Sequence, residues 1–252
     1  MRAAEYDLMH AVEDGHWWYA VLRGLVDEAL AGRLPAAARL LDAGCGTGGM
    51  LAYLQTRKAD MELSGVDAAE QAVRYCQQRG LAAVQQGWVE ALPFADDAFD
   101  AVLCLDVLYH SDVHEQQALA ELARVLRPQG LLLLNLPAFS VLRGAHDAAV
   151  GGARRYEAGQ VRALLSRSSL AVEKIHYWNA WLCLPLLVWR QLSRLTKSTA
   201  SDLGCAPVWM NRMLACAGRL DAGLCRSLLV PFGSSVFAVA RKTNCSAGRK
   251  AA

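Results

Sequence analysis

The sequence has no C-x-x-C pair, no Cys/His cluster at zinc spacing, no apolar run long enough to span a bilayer, and almost no net charge. Its eight cysteines, at 45, 76, 104, 183, 205, 216, 225 and 245, are scattered and lack close histidine partners. Neither a zinc site nor a disulfide framework is expected, and no metal is assigned. Cys45, inside a glycine turn, and Cys104, inside an apolar run, read as small buried hydrophobes. The opening Met-Arg-Ala-Ala-Glu-Tyr-Asp lacks the apolar core of a signal peptide, so the cytoplasm is the expected compartment. The uncharged stretch that comes nearest to a spanning segment, Ile175 to Trp189, contains His176, Asn179 and Pro185. It falls short of the roughly 18 apolar residues that a spanning helix needs.

The net charge of +2 comes from 26 basic and 24 acidic residues and implies no nucleic-acid partner. The charge is unevenly spread. Residues 1–176 carry 16 Lys/Arg against 22 Asp/Glu, while residues 177–252 carry 10 against 2. The C-terminal third is therefore expected to meet something anionic or to face solvent differently. With 252 residues, 54% hydrophobic and 20% charged, the chain has material for a sizeable core and is not of disordered or fibrous type.

Between residues 39 and 136, short apolar runs alternate with helical periodicity, the signature of βαβ units in a doubly wound α/β fold. Strands are expected at Arg39–Ala43, Glu62–Val66, Ala82–Gln85, Phe99–Leu105 and Leu131–Leu136. A helix carrying Leu119, Leu122, Val125 and Leu126 is expected to end at Pro128 and Gly130. Further on, Gln160–Leu170 reads as a helix, while Ala171–Tyr177 and Ser235–Arg241 read as strands. The Leu-, Trp- and Arg-rich stretch between those strands reads as a helical insertion. The expected division is a single domain over 1–242. Within it lie an N-terminal helical lid (1–36), a cofactor core (37–136), a substrate-side loop, helix and strand (137–177), the insertion or cap (178–231) and a last strand (232–242). A disordered tail is expected over 243–252.

Asp42-Ala43-Gly44-Cys45-Gly46-Thr47-Gly48-Gly49 follows a strand and opens a helix, so its backbone can pass close to a ligand. Gly44, Gly46 and Gly49 fit the G-x-G-x-x-G of a dinucleotide site. Asp42, Gly44, Gly46 and Gly48 fit the acidic D-x-G-x-G-x-G of S-adenosylmethionine enzymes. Asp67, at the end of the second strand, can accept ribose hydroxyls in either case. Asp42 tilts the balance, because a carboxylate repels a pyrophosphate and attracts a sulfonium and an amino group.

Downstream, Ala91-Leu-Pro-Phe-Ala-Asp-Asp-Ala-Phe-Asp100, Asp106-Val-Leu-Tyr-His110 and Glu121-Leu-Ala-Arg-Val-Leu-Arg-Pro-Gln-Gly-Leu131 complete an ordered set of four motifs. Together they resemble the class I S-adenosylmethionine-dependent methyltransferases of the UbiE-like branch, methyltransferase type 11. Glu13-Asp-Gly-His-Trp-Trp-Tyr19 with Arg23, Ala145-His-Asp147 with Arg154-Arg-Tyr156, and Pro231 to Lys242 look like a bacterial subgroup of it. The resemblance implies a seven-stranded Rossmann-like sheet with an antiparallel last strand. It also implies S-adenosylmethionine as cofactor and S-adenosylhomocysteine as product. It puts methionine against Gly44, Cys45 and Gly46, and Asp42 and Ala43 of the same turn are expected on the cofactor; if the lid helix closes over it, Arg23 reaches the methionine carboxylate. Ribose falls on Asp67, adenine between Ala68 and Gly87, Trp88 and Val89, and the sulfonium above Leu105 and Asp106. The sequence departs from the family at Trp88, where an Asp is common, at Tyr109, where a Glu is common, at Gln129, and at Gly152, where the subgroup has a His.

His110, with Tyr109 beside it, stands where a general base would act, or where a helix-start histidine lines the pocket without reacting. Trp18 and Tyr19 belong to an aromatic cluster that closes over the cofactor or packs as a plain lid. His146, Arg154, Arg155 and Tyr156 form a loop able to hold an anionic acceptor bidentately, or a solvated face. The expected reaction is methyl transfer to a small-molecule acceptor, at oxygen before nitrogen or carbon. A nicotinamide oxidoreductase and a cofactor-binding protein without turnover are the rivals. Residues 177–231 carry six Lys/Arg against Asp202 and Asp221, with Trp178, Trp181, Trp189 and Trp209 interleaved. This pattern reads as peripheral contact with an anionic membrane, as a cap on the substrate pocket, or as a dimer surface, with the chain monomeric or homodimeric.

Overall fold

The structure, a computed structural model, describes residues 2–196 and 207–244, without the side chains of 145, 146 and 191–196. Seven strands form one sheet: β1 (Arg39–Ala43), β2 (Glu62–Asp67), β3 (Val84–Gln86), β4 (Phe99–Leu105), β5 (Leu126–Pro137), β6 (Leu170–Trp178) and β7 (Ser235–Lys242). Their order is β3-β2-β1-β4-β5-β7-β6, all parallel except β7, which runs antiparallel between β5 and β6. The expected α/β sheet with an antiparallel last strand is the sheet observed.

The apolar strands split their side chains between two cores. From β5, Leu132, Leu134 and Leu136 enter one core, while Leu131 and Leu133 enter the other. Leu41 and Leu40 of β1 divide the same way. That explains the lack of polar alternation in these runs, since both faces are covered. Helices α1 (Ala3–Val12), α2 (Trp17–Leu30), α3 (Gly49–Arg57) and α4 (Glu70–Gln78) precede α5 (Glu115–Val125), α6 (Ala145–Ala149) and α7 (Ala158–Leu165). The segment between β6 and β7 carries α8 (Cys183–Thr196) and α9 (Val208–Leu228).

Several boundaries differ from the sequence reading, among them α7, which spans Ala158–Leu165 and so starts two residues earlier and stops five residues before the expected Leu170. α5 stops at Val125 and the chain is already extended at Leu126, before Pro128. Proline pushes Arg127 out of helical geometry, and Gln129 turns with φ +67° to bring Leu131 into the ladder with Ala101. β3 begins at Val84, two residues late. β6 runs through Trp178, so this tryptophan belongs to the sheet: its ring is wholly buried in the core, not displayed by the insertion. Lys197, Asp202 and the far tail lie outside the described residues. No described helix is long and apolar enough to cross a membrane.

Candidate active site

The glycine turn leaves β1 with φ +85° at Gly44 and +54° at Gly46, a region where a side chain would be strained. At Gly44 a Cβ would also stand 2.2 Å from Val107 Cγ2. The turn hangs from β2, because the Gly44 and Cys45 N–H groups both donate to Val66 O, at 2.7 and 3.0 Å. Asp67 ties it further: Oδ2 accepts from Gly46 N at 2.9 Å, and Oδ1 accepts from Ala69 N at 2.9 Å and from the Tyr6 hydroxyl at 3.1 Å. Helix α1 thus reaches over the turn and shares the carboxylate.

Two further carboxylates stand at the ends of β1 and β4, Asp42 buried and Asp106 half-buried. Asp42 is 2% exposed, and its Oδ1 has no hydrogen-bond partner among the described residues. Burial pushes its carboxyl up to about 7, helped by the charges of Asp67 and Glu13. Asp106 sits at φ +55° and is likewise pushed up to about 7 by burial, against the hydrogen bond from Asn135. That bond is 2.7 Å from Nδ2 to Asp106 Oδ2, and Asn135 Oδ1 accepts from Trp178 Nε1 at 2.9 Å. A relay from β6 through β5 therefore holds Asp106 in its strained backbone. Glu13, at the end of α1, is buried against Thr47, which donates its hydroxyl, and Arg79 at 2.7 Å. Burial raises its carboxyl too.

These groups line one cavity of about 660 Å³ at the carboxyl ends of the strands, where open α/β sheets bind ligands. One half, over β1, β2 and β4, is lined by Asp42, Gly44, Cys45, Gly46, Asp67, Ala68, Gly87, Trp88, Val89, Leu105 and Asp106, with Arg23 at its edge. Arg23 also meets Asp14 at 3.4 Å. Trp88 is 60% exposed and sits at the mouth. Ala43 is fully buried behind the turn and does not line the cavity. The other half, toward β5, β7 and β6, takes Trp18, Tyr19, Tyr109, His110, Arg155 and Asn179. His110 stacks on Tyr109 with ring centroids 4.4 Å apart. Burial lowers its pKa, which keeps the imidazole neutral at physiological pH, while burial raises the Tyr109 and Tyr19 hydroxyls.

Some expected acceptor residues are not brought here. Arg154 is taken up by backbone, donating to Leu108 O and Val113 O at 3.0 Å each. It braces the loop after β4 from outside the cavity. Tyr156 is buried with its hydroxyl donating to Leu108 O at 3.0 Å and meeting Glu115 Oε1 at 2.5 Å, so it is a packing residue. Only Arg155 of that trio lines the cavity. The His146 side chain lies outside the described residues. Sequence reasoning gave no site role to Asn135, Asn179, Tyr6, Glu13 or Arg190. Two of them left a signal: Glu13 opens the motif Glu13–Tyr19, and Asn135 is the one polar residue within the apolar β5 run.

Residues 41–134 match the family model for a methyltransferase domain. Over 99 residues the chain is 39% identical to a phthiotriol/phenolphthiotriol dimycocerosates methyltransferase of Mycobacterium ulcerans, covering 38% of this chain and 36% of that one. It is 38% identical over 99 residues to a fatty-acid O-methyltransferase of Mycolicibacterium smegmatis, covering 38% and 35%. The chain thus spans about a third of the length of the curated relatives it matches. The crystal structure of geranyl diphosphate C-methyltransferase from Streptomyces coelicolor, solved with S-adenosyl-L-homocysteine, superposes with TM-score 0.58 at 16% identity over 89% of this chain and 76% of that one. The segment 41–134, which carries the acidic glycine turn, Asp67 and Asp106, is thus similar to a methyltransferase domain.

Proposed function

We propose that this chain transfers a methyl group from S-adenosylmethionine to an oxygen of a small, lipophilic acceptor. One observation carries the reading: Asp42, buried, and Asp106, half-buried, have no cationic partner in hydrogen-bond contact among the described residues and face the same cavity as the glycine turn. Uncompensated carboxylates are costly to bury, and a sulfonium with an ammonium supplies the missing charge. When bound, S-adenosylmethionine brings a methyl group already activated for displacement. In this reading Gly44 and Gly46 admit the methionine portion, and Arg23 takes its carboxylate. Asp67 takes ribose hydroxyls, Ala68 with Gly87–Val89 and Trp88 flank adenine, and Leu105 and Asp106 underlie the sulfonium. Trp18 and Tyr19 exclude water and help hold the acceptor in line. His110, neutral and adjoining the acceptor half, takes the proton from a hydroxyl through its free ring nitrogen.

Relatives named for lipid and fatty-acid substrates support the lipophilic acceptor. So do the apolar side chains of the acceptor half. Calorimetry tests the cofactor: S-adenosylhomocysteine should bind and NAD should not, and binding of NAD alone overturns the reading. Cofactor binding with no turnover across a set of lipophilic alcohols, phenols and acids leaves a binding protein instead.

A peripheral membrane contact is the second reading, favoured by exposed Leu184, Val188 and Trp189 on α8 and by Trp209, Met213, Leu220 and Leu224 on α9. Trp181 is turned partly inward, edge-on to Trp17 at 6.2 Å. Sedimentation with anionic vesicles should weaken as salt is raised. Absence of binding at low salt leaves a cap or a dimer surface.

A further inference from the structure

The half of the cavity away from the glycine turn contains a polar group that no described residue satisfies. Asn179 follows β6, is 1% exposed and lines the cavity, and among the described residues neither its Nδ2 nor its Oδ1 has a partner. Its backbone is held at φ +58°. The turn that imposes this is clamped by α9, where Asp221 accepts from Ala180 N and Trp181 N at 3.1 Å each. A buried amide left without partners costs free energy comparable to a lost hydrogen bond. A strained residue braced from behind and aimed into a cavity is arranged for something that enters.

Arg155 lines the same half. Its Nε and Nη2 donate to Asp147 at 2.8 and 3.1 Å and its Nη1 to Ala138 O at 2.8 Å, which engages three of five N–H donors among the described residues. N–H groups remain on both Nη1 and Nη2. Arg190 of α8 adds a second guanidinium to this wall, reaching Asp147 at 3.0 Å. The two ends of the cavity differ in charge: Asp42, Asp67, Asp106 and Glu13 stand with Arg23 at the β1–β4 end, and the Asn179 amide stands with two guanidiniums that share the single carboxylate of Asp147 at the β5–β6 end. Leu182, Leu186, Val150 and Trp18 fill the lining around them.

We propose that this wall is an anchor for a carboxylate on an apolar chain, received by the Asn179 amide N–H and the remaining Arg155 donors. An ammonium would meet two guanidiniums against the one carboxylate of Asp147. A neutral hydroxyl can pair with the Asn179 amide but offers the remaining Arg155 donors a single uncharged acceptor atom. A carboxylate matches both the charge and the number of donors, and charge-assisted bonds are the stronger ones. The inference rests on the methyl-transfer reading only for which half of the cavity the cofactor takes.

The test is calorimetric binding of decanoate and of 1-decanol, below their aggregation limits, with and without saturating S-adenosylhomocysteine. Decanoate should bind at least about tenfold more tightly than 1-decanol. Asn179→Asp keeps a residue tolerant of positive φ and sets a negative charge against the ligand. It should weaken decanoate about tenfold or more and leave 1-decanol and S-adenosylhomocysteine unchanged. Asn179→Gly, which suits φ +58° and removes the amide, should weaken decanoate while keeping the thermal midpoint. Equal affinity of acid and alcohol for the native protein, or an equal loss of both in Asn179→Asp, overturns the proposal. If S-adenosylhomocysteine does not bind at all, the methyl-transfer reading falls. The acid–alcohol comparison on the ligand-free protein then still decides this one.

Discussion

If Asp42 and Asp106 face the cation of the cofactor as proposed, cofactor affinity should depend on pH near neutrality. Both carboxyls are pushed up to about 7 in the cofactor-free cavity, and the ionised form is the one that attracts a cation. A group with that pKa is about one-tenth ionised at pH 6 and about nine-tenths at pH 8. If only the ionised form binds, one such group strengthens S-adenosylmethionine binding about tenfold over that range, ~1.4 kcal/mol, and two acting together about a hundredfold. S-adenosylhomocysteine keeps the ammonium and lacks the sulfonium, so its pH dependence should be shallower. Calorimetry in buffers of different ionisation enthalpy would read the accompanying proton release directly, and Asn at position 42 should remove one proton from the count. The same shift acts on stability. A carboxyl raised from its ordinary 3.8 favours the fold fully below that value, and this contribution is lost as pH climbs through about 7. The cofactor-free protein should therefore lose thermal stability between pH 5 and 8 relative to Asp42→Asn. Flat affinity from pH 6 to 8 with no proton released would refute the assignment of these carboxyls to the cation.

Asp67→Ala should weaken S-adenosylhomocysteine by roughly 1.5–3 kcal/mol, the range for hydrogen bonds to a charged group; unchanged affinity would place the ribose elsewhere. Asn135→Ala strands the buried Trp178 indole N–H, so urea unfolding should show a loss of about 1–3 kcal/mol, and a clearly smaller one in a Trp178→Phe background. Equal losses in both backgrounds would mean that the relay carries no energy. His110→Ala should leave S-adenosylhomocysteine affinity intact and lower kcat by about 10²-fold or more on a hydroxyl acceptor. An unchanged kcat would leave His110 as a lining residue.

What was legible in the sequence followed from local rules. The glycine turn, Asp67 and the apolar β5 run each declare themselves within a few residues, because backbone approach and two-sided burial constrain neighbouring positions. The acceptor wall does not. Asn179, Arg155 and Arg190 come from three separate segments, and only the sheet order and the docking of α8 place them on one surface. Arg154 and Arg155 are indistinguishable as an adjacent pair. The chain direction at the bridge between Ala138 and Tyr156 sends one guanidinium inward to Asp147 and the other to the loop carbonyls. Trp178 was grouped with the insertion because the strand boundary fell one residue early, and in a strand one residue exchanges the two faces.

The antiparallel β7 also bears on how such a chain can change. Trp178 and Ser235 are register partners, so residues 179–234 form the loop of a β-hairpin whose ends are already neighbours. The entropic cost of closing such a loop grows only with the logarithm of its length. Helices can therefore be lengthened, replaced or recombined there at little expense to the sheet, and none of the exchanged residues belongs to the glycine turn. The part of the acceptor half that this loop supplies can thus vary independently of the glycine turn, while Trp18, Tyr109 and Arg155 stay with the rest of the chain; grafting the loop, with Asn179 as its first residue, tests how much of acceptor preference it carries.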